Sequence, residues 1–161
     1  MRKTVVLVFV AAFVSGLIGC QTGRDKDIQS EKMFREYAAA WSTHDVEKML
    51  SFFTDDCAYE NLARSQTYNG KDEVRAWAKA SFDAMPDFRL DIKSLFASGD
   101  WLACEWVMTG TQTGSLPNLP ATGKSFSVRG STIAELKNGK IWRNSDYWDV
   151  ATFLGQLGVM K

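Results

Sequence analysis

Asp146 is the residue whose type and setting best suit it to chemistry. It lies in Trp142-Arg143-Asn144-Ser145-Asp146-Tyr147-Trp148-Asp149, a stretch that reads as a strand rather than a turn. Strand alternation puts Trp142, Asn144, Asp146 and Trp148 on one face. If that face is the inner one, the tryptophans desolvate the carboxylate, raise its pKa and suit it to general acid or base catalysis. If it is the solvated one, Asp146 is ordinary surface, or pairs with Arg129 across the hairpin. Pattern alone leaves both readings open.

Other residues could serve a ligand beside it. Tyr59 and Asn61 share a strand face and offer hydrogen-bond donors. Glu105 stands among Trp101, Cys104 and Trp106, and a buried glutamate needs a partner or a task. Asp149 reads as a helix N-cap. His44 falls among capping-type residues between two helical stripes, which suits a surface or capping role.

Several chemistries are excluded. With one histidine and three cysteines, the chain has no cluster at metal-ligand spacing, so no metal site is expected. No Gly-rich phosphate loop follows a strand, and no cofactor is implied. A Ser-His-Asp set would have to be built on His44, in a turn. Neither Cys57 nor Cys104 has a neighbour that would activate a thiolate. Both fall in strand-like segments and read as small buried hydrophobes, with a disulfide as the alternative. Six tryptophans and ten phenylalanines suit either an ordinary core or a pocket for a flat apolar ligand.

The elements that must position these residues follow from periodicity. Phe34, Tyr37, Ala38 and Trp41 form one helical stripe, and Val46, Met49, Leu50 and Phe53 form another after a break near His44. Thr54-Asp55-Asp56 breaks that pattern. Cys57 to Leu62 reads as a short strand and Gln66 to Gly70 as a second. Lys71-Asp72-Glu73 opens a third helix, carried by Val74, Trp77, Ala78, Phe82 and Met85 and stopped at Pro86. Four longer strands follow, beginning near Phe88, Trp101, Ser125 and Ile141. The last two are joined by Asn138-Gly139, a strong hairpin turn. Residues 114–123, with two prolines and two glycines, form a loop. A short helix with Val150, Phe153, Leu154 and Leu157 on one face ends the chain. The order predicts an α+β fold, with helices packed on one face of an antiparallel sheet.

The N-terminus is built differently. Arg2 and Lys3 precede an apolar run from Thr4 to Ile18, too short to span a bilayer as a helix but right for a signal peptide. Leu17-Ile18-Gly19-Cys20 resembles the lipobox of bacterial lipoproteins. The resemblance implies cleavage before Cys20, diacylglycerol on its sulfur and acylation of the new amine, enough acyl chains for stable anchoring. Residues 1–19 are then leader, 20–29 a polar tether and 30–161 the folded domain. By the sorting rule of that family, Gln21 favours the outer membrane facing the periplasm in a Gram-negative cell. Removing Arg2 and Lys3 from 19 basic and 19 acidic side chains leaves a net charge of −2. That balance argues against nucleic-acid binding and against a polybasic membrane patch.

From about Ile28 to Gly158 the chain resembles the SnoaL-like polyketide cyclase group of the nuclear-transport-factor-like superfamily. Three stretches carry the likeness. The first is Trp41-Ser42-Thr43-His44-Asp45 leading to Phe52 through Tyr59. The second is Ala121-Thr122-Gly123-Lys124. The third runs from Asn138-Gly139-Lys140-Ile141 through Asp146-Tyr147-Trp148-Asp149 to Gln156-Leu157-Gly158. The resemblance implies a curved antiparallel sheet and N-terminal helices forming a cone around a cavity. It implies metal-free, cofactor-free ring closure, with the acid/base aspartate falling on Asp146. It also implies a possible homodimer through the outer sheet face. Where the family tends to place histidines, this chain has Thr132 and Asn144, which can hydrogen-bond but cannot carry a proton near neutral pH. Three functions are consistent with this reading. One is acid/base chemistry on a small apolar carbonyl compound, with Asp146 as catalyst and Tyr59, Asn61, Glu105, Trp142, Asn144 and Trp148 as ligand-binding candidates. The others are binding of a small hydrophobic ligand without turnover, and a dimerising interaction module.

Overall fold

The computed structural model describes residues 5–160, with side chains from Gly23 onward. The expected leader and the expected lipidation at Cys20 therefore lie where no side chain is described. Four helices and six strands follow in the order α1 (Val5–Ser42), α2 (Val46–Ser51), β1 (Phe53–Asn61), β2 (Gln66–Asn69), α3 (Gly70–Ala84), β3 (Arg89–Ser98), β4 (Trp101–Gln112), β5 (Lys124–Lys137), β6 (Lys140–Trp148) and α4 (Val150–Gln156). A short 3₁₀ turn, Leu62–Arg64, joins β1 to β2. Among the described residues no helix is long and apolar enough to cross a membrane.

The helices form where periodicity placed them, except that Phe53, expected on the second helical stripe, opens β1 instead. Phe34, Tyr37, Ala38 and Trp41 are buried along α1. The chain breaks at His44, whose φ of 58° ends the helical run. Asp45 then caps α2, accepting from Lys48 N–H at 2.9 Å. The His44 ring stacks on Phe82, and its Nε2 lies 3.0 Å from the Phe88 carbonyl oxygen, a bridge between elements rather than a catalytic placement. In α3, Val74, Ala78 and Phe82 face the core.

One stretch differs from expectation. Residues 20–29, read as a polar tether, are helical and belong to α1. Lys26 pairs with Asp100 at 2.7 Å, and Gly99 N–H donates to Asp27 at 2.9 Å. The helix there packs on a turn through polar groups, so no apolar stripe marks it.

The sheet order is β2-β1-β6-β5-β4-β3. It is curved and unclosed. All neighbouring pairs are antiparallel except β1 and β6, which run parallel, so the curved sheet is mostly antiparallel, as expected. These two strands are joined by about half of the chain, so no hairpin dictates their direction. β1 also starts earlier than expected. Thr54-Asp55-Asp56 lies within the strand, and the register with β6 slips between Phe53 and Ala58. Further slips occur between Ile92 and Ser94 and between Glu135 and Leu136. Such bulges bend a strand and sharpen its twist, which helps the sheet wrap the helices.

The remaining sequence signals hold locally. Asn138 and Gly139 take φ values of 54° and 73°, as a primed hairpin turn requires. Asp149 caps α4, accepting from Thr152 N–H at 2.8 Å. Gln156 accepts from Ser127 N–H at 2.7 Å and donates to Ser127 O at 3.1 Å, pinning α4 to β5. Cys57 and Cys104 are buried and free. Burial pushes the Cys104 thiol up to about 12, which leaves it inert as a nucleophile.

Gly130 on β5 is required by packing. A Cβ there would sit 2.2 Å from the Trp106 indole ring. Gly130→Ala is expected to force that ring aside and to destabilise the fold by about 1–3 kcal/mol. Thermal unfolding should show a fall of several degrees in Tm, and an unchanged Tm would mean that the ring has room to move.

Candidate active site

The inner face of the sheet and the helices enclose a cavity of about 90 Å³. Its wall is mostly aromatic, including Trp41, Trp77, Phe82, Trp106, Phe126 and Trp148. Among the described residues Asp146 is the only carboxylate that lines it.

Three adjacent strands converge on that carboxylate. Tyr59 of β1 donates its hydroxyl to Oδ2. Thr132 of β5 donates to Oδ1 at 2.6 Å, and Asn144, two residues back on β6, donates to the same oxygen at 2.8 Å. The pairing makes this geometry: Thr132 faces Asp146 across β5 and β6, and Tyr59 faces Asn144 across β1 and β6. Behind Thr132, Trp106 Nε1–H donates to its Oγ1 at 2.8 Å, leaving the threonine hydrogen aimed at the carboxylate. Asn61 accepts from Trp148 Nε1–H at 2.9 Å, and both line the cavity.

The electrostatics follow from burial. Removal from water pushes the Asp146 carboxyl above its ordinary value, while the bonds from Thr132, Tyr59 and Asn144 pull it partly back. Burial also pushes the Tyr59 phenol well up, and the neighbouring Asp146 charge adds to this. Tyr37 is raised for the same two reasons in the same order. Both phenols stay protonated and can only donate or accept hydrogen bonds. An ionised carboxylate has about four lone-pair positions. Three are filled here, two on Oδ1 and one on Oδ2. The second lone pair of Oδ2 remains for a proton or a ligand.

The structure therefore places Asp146, Tyr59, Asn61 and Trp148 around one cavity. Asn144 supports Asp146 from beside it but does not line the cavity; its own Oδ1 is buried without a partner. Glu105 and Trp142 are elsewhere. Glu105 is exposed on the outer sheet face, where it accepts from Ser94 Oγ at 3.1 Å and lies 3.6 Å from Arg129. Arg129 is thereby engaged away from Asp146. Trp142 is the extra residue of the bulge opposite Glu135 and Leu136, so alternation fails there. Ile141 takes the inner position, fully buried, while Lys137 sits over the Trp142 ring at 6.0 Å.

Two cavity residues had no chemical signal in the sequence. Thr132 drew notice only as a substitute for histidine, yet it bonds the carboxylate directly. Tyr37 looked like one more residue of an apolar stripe. Only the fold brings it to the same cavity as Asp146.

Comparison with known proteins agrees with this architecture. A family model described as SnoaL-like polyketide cyclase matches residues 31–157. The chain is 30% identical over 111 residues to Cyclase aurE of Calcarisporium arbuscula, a match covering 68% of this chain and 79% of that protein. TsrD of Streptomyces laurentii superposes with a TM-score of 0.74 at 22% identity, covering 83% of this chain and 97% of that one. A Catenulispora acidiphila protein with a ketosteroid isomerase-like fold, solved with trimethylamine, gives 0.70 at 21% identity over 79% of this chain and 92% of that one. At such identities the solved structures show a shared fold.

The raised Asp146 carboxyl has a measurable consequence. The folded state binds that proton more tightly than the unfolded state does. Wild-type stability relative to Asp146→Asn is then undiminished below the unfolded carboxyl value, about 3.9, and falls as pH rises toward the raised folded value. Urea unfolding at about pH 4 and about pH 8 should show the variant gaining on the wild type at the higher pH. A wild type that gains instead would mean that the three donors outweigh burial.

Proposed function

This chain belongs to the SnoaL-like polyketide cyclase family, and from that membership we propose that it performs acid/base chemistry on a small apolar carbonyl compound, of isomerase, cyclase or hydrolase type. One observation carries the reading: a lone carboxylate, held by three donors and with one lone pair left, lines an aromatic cavity.

The chemistry follows from that arrangement. Asp146, ionised, takes a proton from the carbon beside the substrate carbonyl. The electron pair moves onto the carbonyl oxygen, giving an enolate. The Tyr37 hydroxyl, which also lines the cavity, is the donor type that such an oxygen needs. The enolate then accepts a proton at another carbon, or attacks a second carbonyl and closes a ring. Asp146 returns the proton in either case, so the cycle needs no outside reductant or oxidant. In the hydrolase variant the same carboxylate takes a proton from water as its oxygen bonds to the carbonyl carbon, and returns that proton to the leaving oxygen as the carbon–oxygen bond breaks. A base with a raised pKa suits this work, because its proton affinity comes closer to the working pH.

A second reading has its own support. Phe96, Trp101, Ile133 and Tyr147 are exposed on the outer sheet face. Such a patch fits a second copy of the chain, and a dimer leaves the cavity chemistry intact.

The reading extends to the envelope. The charged start, the short apolar run and Leu17-Ile18-Gly19-Cys20 support lipidation at Cys20, in the outer membrane of a Gram-negative cell. Palmitate labelling in a bacterial host should mark the wild type and miss Cys20→Ser. Label retained by the variant would remove the lipoprotein reading.

The catalytic reading is tested first by a thermal-shift screen against flat polycyclic ketones, then by turnover on the hits. Asp146→Asn is expected to cut turnover by about 10²–10⁴-fold while leaving binding within a few-fold. Full activity in the variant would remove Asp146 as the catalyst. Unaltered binding with no turnover by either protein would leave a ligand carrier.

A further inference from the structure

The doorway of the cavity carries a cation of its own. Arg64 ends the 3₁₀ turn that follows β1, and Ser65, at φ 52°, swings the chain back into β2. Arg64 lines both the inner cavity and a groove on the outside, as do Trp77, Ser81 and Leu116. These four residues are therefore where inside meets outside. Tyr68 and Gln66 continue the groove, with the tyrosine hydroxyl donating to Gln66 Oε1 at 3.0 Å.

The Arg64 guanidinium is barely engaged. It has five donors, and its one side-chain bond is a long one, 3.5 Å, from Nη2 to Pro117 O. It forms no ion pair among the described residues, whereas Arg75 is held by Glu47 and Asp72 and Arg143 by Glu135. The acid that shares the groove, Glu73, accepts instead from Asn69 N–H at 2.8 Å.

The opposite rim is fixed. Leu116 and Leu119 exchange backbone bonds of 2.9 Å across a Pro117-Asn118 corner, with Asn118 at φ 61°. Gln112, fully buried, holds the loop from beneath by donating to Gly114 O and Pro120 O and accepting from Thr122. Arg64 thus faces a preformed gap rather than a swinging lid.

We propose that Arg64 recognises a carboxylate, and that the ligand is a small molecule with an apolar body, a carbonyl directed inward to Asp146 and one acid group at the doorway. The charge layout requires this direction. A second anion beside the buried Asp146 would be repelled and unsolvated, whereas a carboxylate at the doorway meets a free planar fork of matching geometry and keeps some water. The aromatic wall between them accepts only the apolar part. This names a substrate class for the reading above and rests on that cavity being a small-molecule site.

Two probes of one skeleton test it: 3-phenylpropionate and its uncharged isostere 4-phenyl-2-butanone. Binding to the full domain is followed by tryptophan fluorescence at low salt, since Trp41, Trp77, Trp106 and Trp148 line the cavity. The wild type is expected to prefer the carboxylate by about 10- to 100-fold. Arg64→Gln should erase that preference with ketone affinity unchanged, and Arg64→Lys should keep part of it. No preference in the wild type, including binding of neither probe, overturns the proposal. Equal loss on both probes in Arg64→Gln overturns it too, since a residue that only supports the rim would behave that way. The two readings fail separately. A clear preference without turnover of any ketone upholds Arg64 recognition and removes the reaction. Asp146-dependent turnover without preference upholds the reaction and overturns Arg64 recognition.

Discussion

Burying the Asp146 carboxylate obliges the surrounding strands to supply hydrogen-bond donors, and much of this architecture can be traced to that demand. An uncompensated buried charge is costly, and each missing partner leaves a penalty of about 1–3 kcal/mol or more. No single strand can provide three donors to one side chain. Here β1 brings Tyr59, β5 brings Thr132, and β6 brings Asn144 with Asp146 itself. The parallel pairing of β1 with β6 serves this arrangement of donors, since it sets Tyr59 beside Asn144 and Asn61 beside Asp146. The demand reaches into β4 as well. Trp106 fixes the Thr132 hydroxyl, and its ring lies against Gly130 because no Cβ blocks it. A packing glycine, an indole, a hydroxyl and a carboxylate thus form one chain of dependence.

Much of this was legible in the sequence, because the deciding signals are local. Helix stripes, capping residues, the Asn138-Gly139 turn and the alternation of β6 each involve neighbours in the chain. Alternation put Asn144, Asp146 and Trp148 on one face, and the three are inward. It failed at Trp142, because a bulge adds one residue and inverts everything before it. Nothing in Ile141-Trp142-Arg143 announces that slip. Glu105 shows a different failure. Its aromatic neighbours suggested burial, but Cys104 and Trp106 face inward and a residue between them must face out. Strand period was the better guide there than local composition.

What the sequence left hidden is the set of contacts between distant segments. Tyr37 reaches the cavity from α1, and the long sheet lies between it and Asp146 in the chain. Its helical spacing says only that it is inside. The direction of β1 against β6 was equally hidden, because the intervening elements impose no rule on it. The polar start of α1 also misled. A helix that grips a turn through Lys26 and Asp27 carries no amphipathic stripe there, and composition alone cannot separate it from a linker.

The hydroxyl and amide that hold the carboxylate bear on what the site could catalyse. Thr132 and Asn144 keep their hold on the carboxylate but cannot carry its proton away. Tyr37 and Tyr59, both raised by burial, cannot do so near neutral pH either. Asp146 is then the only group among the cavity's described residues able to change protonation there. A proton that it accepts finds no relay near neutral pH among the described residues that line the cavity. Its direct way out is back onto the bound molecule. A site built this way suits reactions in which the proton removed from one atom of the substrate is returned to another atom of the same substrate. Isomerisation and intramolecular ring closure share that property. Hydrolysis must in addition seat a water against the carboxylate, so it fits this mostly aromatic cavity less well than the other two.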